Sequence, residues 1–170
     1  MTIEFQFKCT KCAEWHTGLP DLAFDAPYYY EQLSEEQKLS IAIKTDDTCS
    51  IDNEDFFVRG VIRIPIIGSD TDFAWGAWVS LSPANFQRYL ELFEAVDRVE
   101  SGPYFGWLSN RLPGYPDTLA LKTHVHLQPY PQRPEIELEH TDHPLAVHQR
   151  NGLHVEVLQA TVESALHPAG

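Results

Sequence analysis

Apolar and polar residues alternate along two neighbouring stretches of the chain. In residues 56–66 the even positions carry apolar or small side chains, namely Phe56, Val58, Gly60, Ile62, Ile64 and Ile66. In residues 73–81 the odd positions do so, namely Phe73, Trp75, Ala77, Val79 and Leu81. A period of two predicts a strand with one buried face, and the turn residues of IGSDTD separate the two stretches. We therefore predict an antiparallel hairpin, with Pro65 near a strand end because proline cannot donate to a ladder.

A second hairpin is predicted further along the chain. Its first strand lies in LALKTHVHLQ and its second in PEIELE, where Ile136 and Leu138 face inward. The intervening PYPQR has the composition of a turn. Pairing across this turn places His126 opposite Glu135, His124 opposite Glu137 and Lys122 opposite Glu139. One register thus gives each of these outward side chains a charged or hydrogen-bonding partner.

Helix signals occur first at Ser34 and at Ser82. Ser34 precedes two acidic residues and predicts a short helix, and TCSID after it predicts a short extended piece. Ser82 is a natural N-cap, and Pro83 suits the first helical position. The helix predicted within residues 82–100 has one apolar stripe, formed by Phe86, Tyr89, Leu90, Phe93 and Val96.

Two more helices are predicted near the end of the sequence. DHPLAVHQRNG is typical of a short helix that is capped by Asp142 and ended by Asn151 and Gly152. The last helix lies in HVEVLQATVESALH, with a stripe of Val155, Leu158, Val162 and Leu166.

The stretch SGPYFGWLSNRLPGYPDT, rich in Gly, Pro and aromatic residues, predicts a long loop that packs through Tyr104, Phe105 and Trp107. The predicted fold class is α+β: a mostly antiparallel central sheet with helices on one side and an N-terminal segment like a zinc knuckle. The length of 170 residues fits one domain. Within it we distinguish a cysteine-containing segment, residues 1–50, from a sheet-and-helix body, residues 51–170.

The charge of the chain excludes two classes of partner. Only 12 basic residues face 25 acidic ones, for a net charge of -13. Nucleic acids and anionic membranes are bound through Lys and Arg, so neither is expected. The acidity could serve only solvation, or it could steer the protein toward a basic protein partner. The acidic clusters expected on the outer surface are Glu135, Glu137 and Glu139 and the turn residues Asp70 and Asp72.

The first residues lack the basic start and apolar run of a signal peptide, and no stretch approaches the ~20 apolar residues of a membrane span. We therefore expect a cytoplasmic protein whose thiols stay reduced. An odd total of three cysteines also fits a disulfide framework poorly.

Two of those cysteines, Cys9 and Cys12, have the Cys-x-x-Cys spacing of a metal knuckle. Structural zinc takes four ligands and favours Cys with some His. With His16 just beyond the knuckle and Cys49 as the remaining thiol, these four residues predict a structural zinc site. The alternatives are a redox pair, which needs a helix start that AEWHTGLP does not provide, a plain buried thiol at Cys49, and a hydrogen-bonding role for His16.

A second candidate is His124-x-His126, because residues two apart on a strand share a face. Together with His140 and His143 these side chains could form a metal site for hydrolysis. The competing and favoured interpretation is the cross-strand ladder described above. No Gly-x-Ser-x-Gly elbow and no phosphate-binding loop occurs in the sequence.

Trp78 is predicted on the opposite strand face from Trp75. On that face a large apolar side chain would be exposed to water, so we expect a groove or a partner to cover Trp78.

The motifs HTGLP, FFVRG, WGAWVSLS, PYFGWL, LPGYP, LKTHVH, IELEHTDHPLA and QRNG occur in this order. In this the chain resembles a bacterial family catalogued as a domain of unknown function, number twenty-one ninety-nine of its series, over residues 7–166. The resemblance implies a small cytoplasmic bacterial protein with an N-terminal Cys-x-x-Cys and no established activity. The family tends to have Gly after the second cysteine, whereas this chain has Ala13, which eases a left-handed turn less.

These features together favour a zinc-stabilised, non-enzymatic protein-binding module, for example a neutraliser of a basic toxin. The alternative is a metal-dependent hydrolase that uses the central histidines.

Overall fold

A computed structural model describes residues 6–17 and 22–167. The first five residues, on which the signal-peptide prediction rests, lie outside this range. The described strands are β1 (Gln6–Lys8), β2 (Trp15–Thr17), β3 (Leu22–Ala23), β4 (Ala42–Lys44), β5 (Thr48–Ile51), β6 (Asp55–Pro65), β7 (Asp72–Leu81), β8 (Tyr104–Leu108), β9 (Lys122–His126) and β10 (Glu135–Leu138). The described α-helices are α1 (Tyr28–Glu31), α2 (Glu35–Ser40), α3 (Pro83–Glu91), α4 (Pro144–Asn151) and α5 (Val155–Leu166). The predicted α+β class with a mostly antiparallel sheet is confirmed, and no described helix has the length and apolar character needed to cross a bilayer.

Both predicted hairpins are present, and the second has the predicted register. Strands β6 and β7 pair antiparallel from Phe56 opposite Leu81 to Pro65 opposite Asp72, so Pro65 lies at the strand end as predicted. Strands β9 and β10 pair as the outward ladder requires, with His126 opposite Glu135 and His124 opposite Glu137. Alternation restricts the register of each hairpin because a slip by one residue would expose every apolar side chain.

Part of the central sheet closes into a barrel, which the sequence analysis did not predict. Strands β6 to β10 form a closed five-stranded barrel, because β10 pairs with β9 and also with β6. The closing contact is short and parallel, with Glu135 opposite Val61. A Cβ atom at Gly60 would lie 2.8 Å from the carbonyl oxygen of Pro134, so this close approach requires glycine.

Gln149 of α4 extends the closure beyond that single pair. Its Nε2 donates to the Ile136 carbonyl at 2.8 Å, and its Oε1 accepts from the Leu138 amide at 2.7 Å. The side-chain amide thus occupies the edge of β10 where a neighbouring strand would otherwise bond.

Strand β8 lies inside the stretch that the sequence predicts to be a loop. Tyr104, Gly106 and Leu108 face inward and are buried, whereas Phe105 and Trp107 face outward. A Cβ atom at Gly106 would lie 2.6 Å from the Ser80 carbonyl oxygen, so glycine allows β8 to pack closely against β7. The Gly and aromatic residues here therefore belong to a barrel strand and not to a loop.

The predicted helices are all present, but their ends differ from expectation. Helix α2 begins with a capping box between Ser34 and Gln37. Helix α3 is capped by Ser82, as predicted, but ends at Glu91. Its predicted stripe is therefore too long, and Val96 beyond it is 99 % exposed.

Helices α4 and α5 are also present, but each differs in one detail from the prediction. Helix α4 ends at Asn151 with Gly152 after it, but its N-cap is His143 and not Asp142. In α5 only the middle of the predicted stripe, Leu158 and Val162, is buried. Both side chains join the main core, which also contains the barrel interior and Phe7 of β1.

A second, smaller core covers the outside of the barrel at Trp78. This side chain is fully buried against Cys49, Ile51 and Phe57, and its Nε1 donates to the Phe24 carbonyl at 2.9 Å. The chain itself covers the indole, so the expectation that Trp78 belongs to a partner-binding surface is wrong.

Candidate metal centre

The two thiols of the knuckle project from the turn between β1 and β2. The Cys9 amide donates to the Glu14 carbonyl at 2.8 Å, and the Ala13 amide donates to the Cys9 carbonyl at 3.0 Å. The Lys11 amide points at the Cys9 sulfur at 3.4 Å. Ala13 adopts a left-handed conformation, with φ of 62°, which glycine adopts at lower cost. The turn therefore takes the knuckle conformation despite the cost of a Cβ atom there.

His16 approaches the thiols from the second strand of this hairpin. It lies opposite Phe7 in the β1–β2 register, and its ring centroid is 5.3 Å from that of Phe7. Its Nε2 lies 3.3 Å from the Cys12 sulfur. The strand pairing thus brings His16 back to the turn that carries Cys12.

The fourth side chain, His167, comes from the other end of the described chain, directly after α5. Its Nε2 is buried and has no hydrogen-bond partner among the described residues. Two contacts fix the end of α5 beside the hairpin: the Thr10 amide and hydroxyl each donate to the Glu163 carboxylate at 2.8 Å. A buried ring nitrogen without a partner is costly, and a bound metal ion would satisfy it.

The four ligand atoms of Cys9, Cys12, His16 and His167 all lie within 4.8 Å of one another. In a tetrahedral zinc site with bonds of about 2.0–2.3 Å, ligand atoms are separated by roughly 3.3–3.8 Å. Small side-chain movements are enough to reach that geometry. In the parts of the chain that the structure describes, no other group of three or more His, Cys, Asp and Glu side chains is gathered in this way.

The Cys12 thiol is held mostly protonated when no metal is bound. A backbone hydrogen bond at Glu14 lowers its pKa, but desolvation and the adjacent Cys9 raise it, and the net pKa lies above the ordinary value. Metal ligands bind as thiolates, so metal binding at this site must release protons.

Cys49 was predicted from the sequence to be the fourth metal ligand, but it is not part of this group. The fourth member is His167. Cys49 lies on β5 in the second core and is 1 % exposed. Desolvation raises its pKa to about 11, although the charge of Lys44 opposes the shift. No local pattern marks His167 as a ligand, because the fold alone brings α5 to the hairpin.

The four central histidines are not brought together. His124 and His126 share the outer face of β9, where His126 Nε2 lies 3.3 Å from the Glu137 carboxylate and His124 packs against the Phe105 ring with 6.3 Å between centroids. His140 is exposed, beyond the end of β10. The predicted register of β9 and β10 is present, but the side-chain partners differ from the predicted ladder, because Glu135 pairs with Arg63 and His126 contacts Glu137. Among the described residues, the four central histidines form no metal-binding group.

The His143 side chain caps the N-terminus of α4. Its Nδ1 accepts from the Leu145 amide at 3.1 Å, which makes it the N-cap. With that nitrogen accepting, Nε2 carries the proton and points at the carbonyl oxygens of Pro116 and Asp117, each at 3.2 Å. Both ring nitrogens are used, so none remains for a metal.

The acidic clusters lie on the surface but differ in their contacts. Glu135 forms an ion pair with Arg63 at 2.7 Å, and Glu137 contacts His126. Glu139, Asp70 and Asp72 form no ion pair with a described residue. A depression of about 220 Å³ lies beside the barrel closure. Its charged and imidazole-bearing lining residues are Arg63, His126, Glu135, Glu137, His140 and Arg150.

A family model described as "Uncharacterized protein conserved in bacteria (DUF2199)" matches residues 8–153. The match contains Cys9, Cys12 and His16 but ends before α5 and His167. Neither a curated protein nor a solved structure matches the chain.

Proposed function

The chain belongs to the uncharacterised bacterial family DUF2199, and we propose that it is a zinc-stabilised module that binds a basic protein partner. Zinc bound by Cys9, Cys12, His16 and His167 fastens the N-terminal hairpin to the end of α5. The observation that carries the proposal is the approach of these four ligand atoms to within 4.8 Å of one another.

The donor set selects the metal. Two sulfur and two imidazole ligands suit zinc, whereas calcium and magnesium require oxygen ligands. Four protein ligands complete a tetrahedral site and leave no position for water or substrate, which is the arrangement of structural zinc and not of catalytic zinc.

The location of the site explains what the metal would stabilise. Strands β1 and β2 form a two-stranded sheet that pairs with no other described strand. A two-stranded hairpin is marginal in water by itself, and here Phe7 of β1 packs into the main core. Apart from the metal ligands, the hairpin is tied to α5 by the Thr10–Glu163 bonds and by the Gln159 amide, which donates to the Lys8 carbonyl at 3.2 Å. A shared metal would add a strong link between the two ends of the described chain.

The outer face of β8, β9 and β10 supports a role in protein binding. Cross-strand neighbours form two rows on this face: Phe105, His124 and Glu137, and Trp107, Lys122 and Glu139. Phe105 is 39 % exposed and Trp107 is 43 % exposed. Exposed aromatic side chains beside polar ones are typical of protein interfaces. We call these six residues the outer barrel face.

Fewer acidic side chains are available to attract a basic partner than the net charge of -13 indicates. Glu135 forms an ion pair with Arg63, and Glu137 lies 3.3 Å from the His126 ring, so both carboxylates already have partners within the chain. Steering toward a basic partner would come mainly from Glu139, Asp70 and Asp72. Such steering weakens as salt rises, because exposed charges are screened.

Metal analysis tests the first half of the proposal. We expect tag-free protein to contain about one zinc per chain, bound through four ligands. A sample without metal whose thiols are free would contradict it.

Co-purification from the native host tests the second half. We expect the wild-type protein and a Val96→Ser control to recover the same basic protein, with recovery falling at high salt, and Trp107→Ser to lose it. Val96 is a suitable control because it is exposed but lies outside the outer barrel face. Equal recovery by all three proteins at every salt concentration would exclude this face as the binding surface.

A further inference from the structure

The three cysteines occupy two chemically different environments. Cys9 and Cys12 lie together at the candidate metal centre, and Cys49 is enclosed in the second core. We propose that the Cys9–Cys12 pair is an oxidation site at which a hydroperoxide forms a disulfide, releases the metal and separates the hairpin from α5. The inference rests on the proposed zinc site.

The geometry of the turn favours an intramolecular disulfide. The two sulfur atoms are already within 4.8 Å of each other. The turn lacks the helix start that activates a thiol in disulfide oxidoreductases, and bound zinc would instead hold both sulfur atoms as thiolates. Cys9 is only 1 % exposed, whereas Cys12 is partly exposed. A small oxidant therefore reaches Cys12 first, and Cys9 is positioned as the resolving thiol.

The reaction balances with one hydroperoxide per chain. The Cys12 thiolate attacks the terminal peroxide oxygen, breaks the O–O bond and becomes a sulfenic acid, while the leaving alkoxide or hydroxide takes up a proton. The Cys9 thiolate then attacks the Cys12 sulfur, which forms the S–S bond and expels hydroxide, which is protonated to water. The two thiolates are oxidised by two electrons and the peroxide is reduced. A disulfide is a poor zinc ligand. Only two imidazole donors then remain at the site, and the ion dissociates.

Cys49 does not compete in this reaction. Burial raises its pKa to about 11, so little thiolate is present at neutral pH. The side chain packs against Trp78 and Phe57 and does not belong to the metal group. A single disulfide between Cys9 and Cys12 is therefore the expected product, and Cys49 provides a matched control within the same chain.

The structural consequence follows from the polar links between the hairpin and α5. Without the metal, the described polar links between hairpin and α5 are the bonds of Thr10 to Glu163 and of Gln159 to Lys8. These bonds are partly exposed and compete with water. Oxidation should therefore increase amide hydrogen exchange in residues 6–17 and in α5 but leave the barrel strands protected.

The test uses full-length protein: zinc-loaded wild type and zinc-loaded Cys49→Ala, with Cys12→Ser as a control for disulfide formation that is expected not to hold zinc. Hydrogen peroxide is added, released zinc is followed with a chromogenic chelator, and the disulfide is mapped by peptide mass spectrometry. We expect wild type and Cys49→Ala to release one zinc for each Cys9–Cys12 disulfide, and dithiothreitol with added zinc to reverse the change. Cys12→Ser should form no disulfide.

The possible failures can be told apart. Wild-type protein that binds no zinc before oxidation would overturn the proposed function and this inference together. Zinc that remains bound with both thiols reduced would overturn the inference alone, as would zinc release with Cys12 oxidised irreversibly or with a disulfide to Cys49.

Discussion

Two sets of side chains in this protein have the composition of a metal site, and they differ in what their ring nitrogens contact. In the set formed by Cys9, Cys12, His16 and His167, four ligand atoms converge and His167 Nε2 is buried without a hydrogen-bond partner among the described residues. In the set of central histidines, by contrast, the imidazoles point to separate neighbours. His126 contacts Glu137, and His143 caps a helix.

The difference shows that proximity in the sequence is a weaker sign of a metal site than an unmet bonding requirement in the fold. The central histidines are close in sequence, yet His126 and His143 are satisfied by carboxylate or backbone groups. The other set draws on both ends of the described chain. Cys12 and His16 contact each other, and a metal ion would supply the bond that His167 Nε2 lacks among the described residues.

The largest expected effect is the loss of a thiol ligand. We expect Cys9→Ser to abolish stoichiometric zinc binding. With zinc at 100 to 1,000 times its Kd, the lost linkage corresponds to about 3–4 kcal/mol of unfolding free energy. For a chain of this size that lowers Tm by roughly 5–15 °C. Calorimetry with and without chelator provides the measurement: chelation should destabilise the wild type and leave the variant unchanged. Equal Tm and equal zinc content in both proteins would remove the metal from the account.

The next effect concerns the identity of the fourth ligand. We expect His167→Ala to weaken zinc affinity by more than about 100-fold, since even outer-shell substitutions cost 10–100-fold. Cys49→Ala is the matched control. It should leave the affinity unchanged and cost about 1 kcal/mol of stability through the small cavity it creates. Competition titration with a zinc chelator measures both. The reverse pattern would restore Cys49 as the ligand.

A smaller effect is expected at His143, from the other set. Replacement by Ala removes the cap of α4 and the contacts with the Pro116 and Asp117 carbonyls. Loss of an N-cap costs about 0.5–2 kcal/mol, which urea denaturation can resolve. His140→Ala should leave stability unchanged because this exposed ring has no hydrogen bond to a described residue. If His143→Ala lost zinc, the contrast between the two sets would fail.

The smallest effect is expected for the pair on β9. The double variant His124→Ala, His126→Ala should keep its full metal content and lose little stability, because exposed cross-strand pairs contribute about 0.2–1 kcal/mol each. Metal analysis and urea denaturation of the purified variant measure the two quantities. A missing metal equivalent would revive the hydrolase interpretation.

The sequence predicted the parts of the fold that local patterns determine. Alternation identified β6, β7, β9 and β10 and the register of β9 with β10, and caps located the starts of α2 and α3. Strand β8 was not predicted because Gly106 and the flanking prolines have the composition of a loop. Its inward residues Tyr104, Gly106 and Leu108 nevertheless alternate with outward ones. Glycine is required there by the nearby Ser80 carbonyl, which is a tertiary and not a local constraint.

The sequence also predicted only the local part of the candidate site, which is three of its four ligands. Cys9, Cys12 and His16 lie within one hairpin, so their spacing was informative. The fourth ligand depends on where α5 ends, and that depends on the packing of Leu158 and Val162 into the main core. Chemistry alone favoured Cys49, but the second core around Trp78 encloses it.

The coordination of the bound metal tests the central claim most directly. X-ray absorption at the zinc edge on purified wild-type protein distinguishes sulfur from nitrogen neighbours by distance. The account predicts two sulfur atoms at about 2.3 Å and two nitrogen atoms at about 2.0 Å, from Cys9, Cys12, His16 and His167. Three sulfur neighbours would instead indicate Cys49, and a shell of nitrogen and oxygen without sulfur would indicate the central histidines. Either result would contradict it.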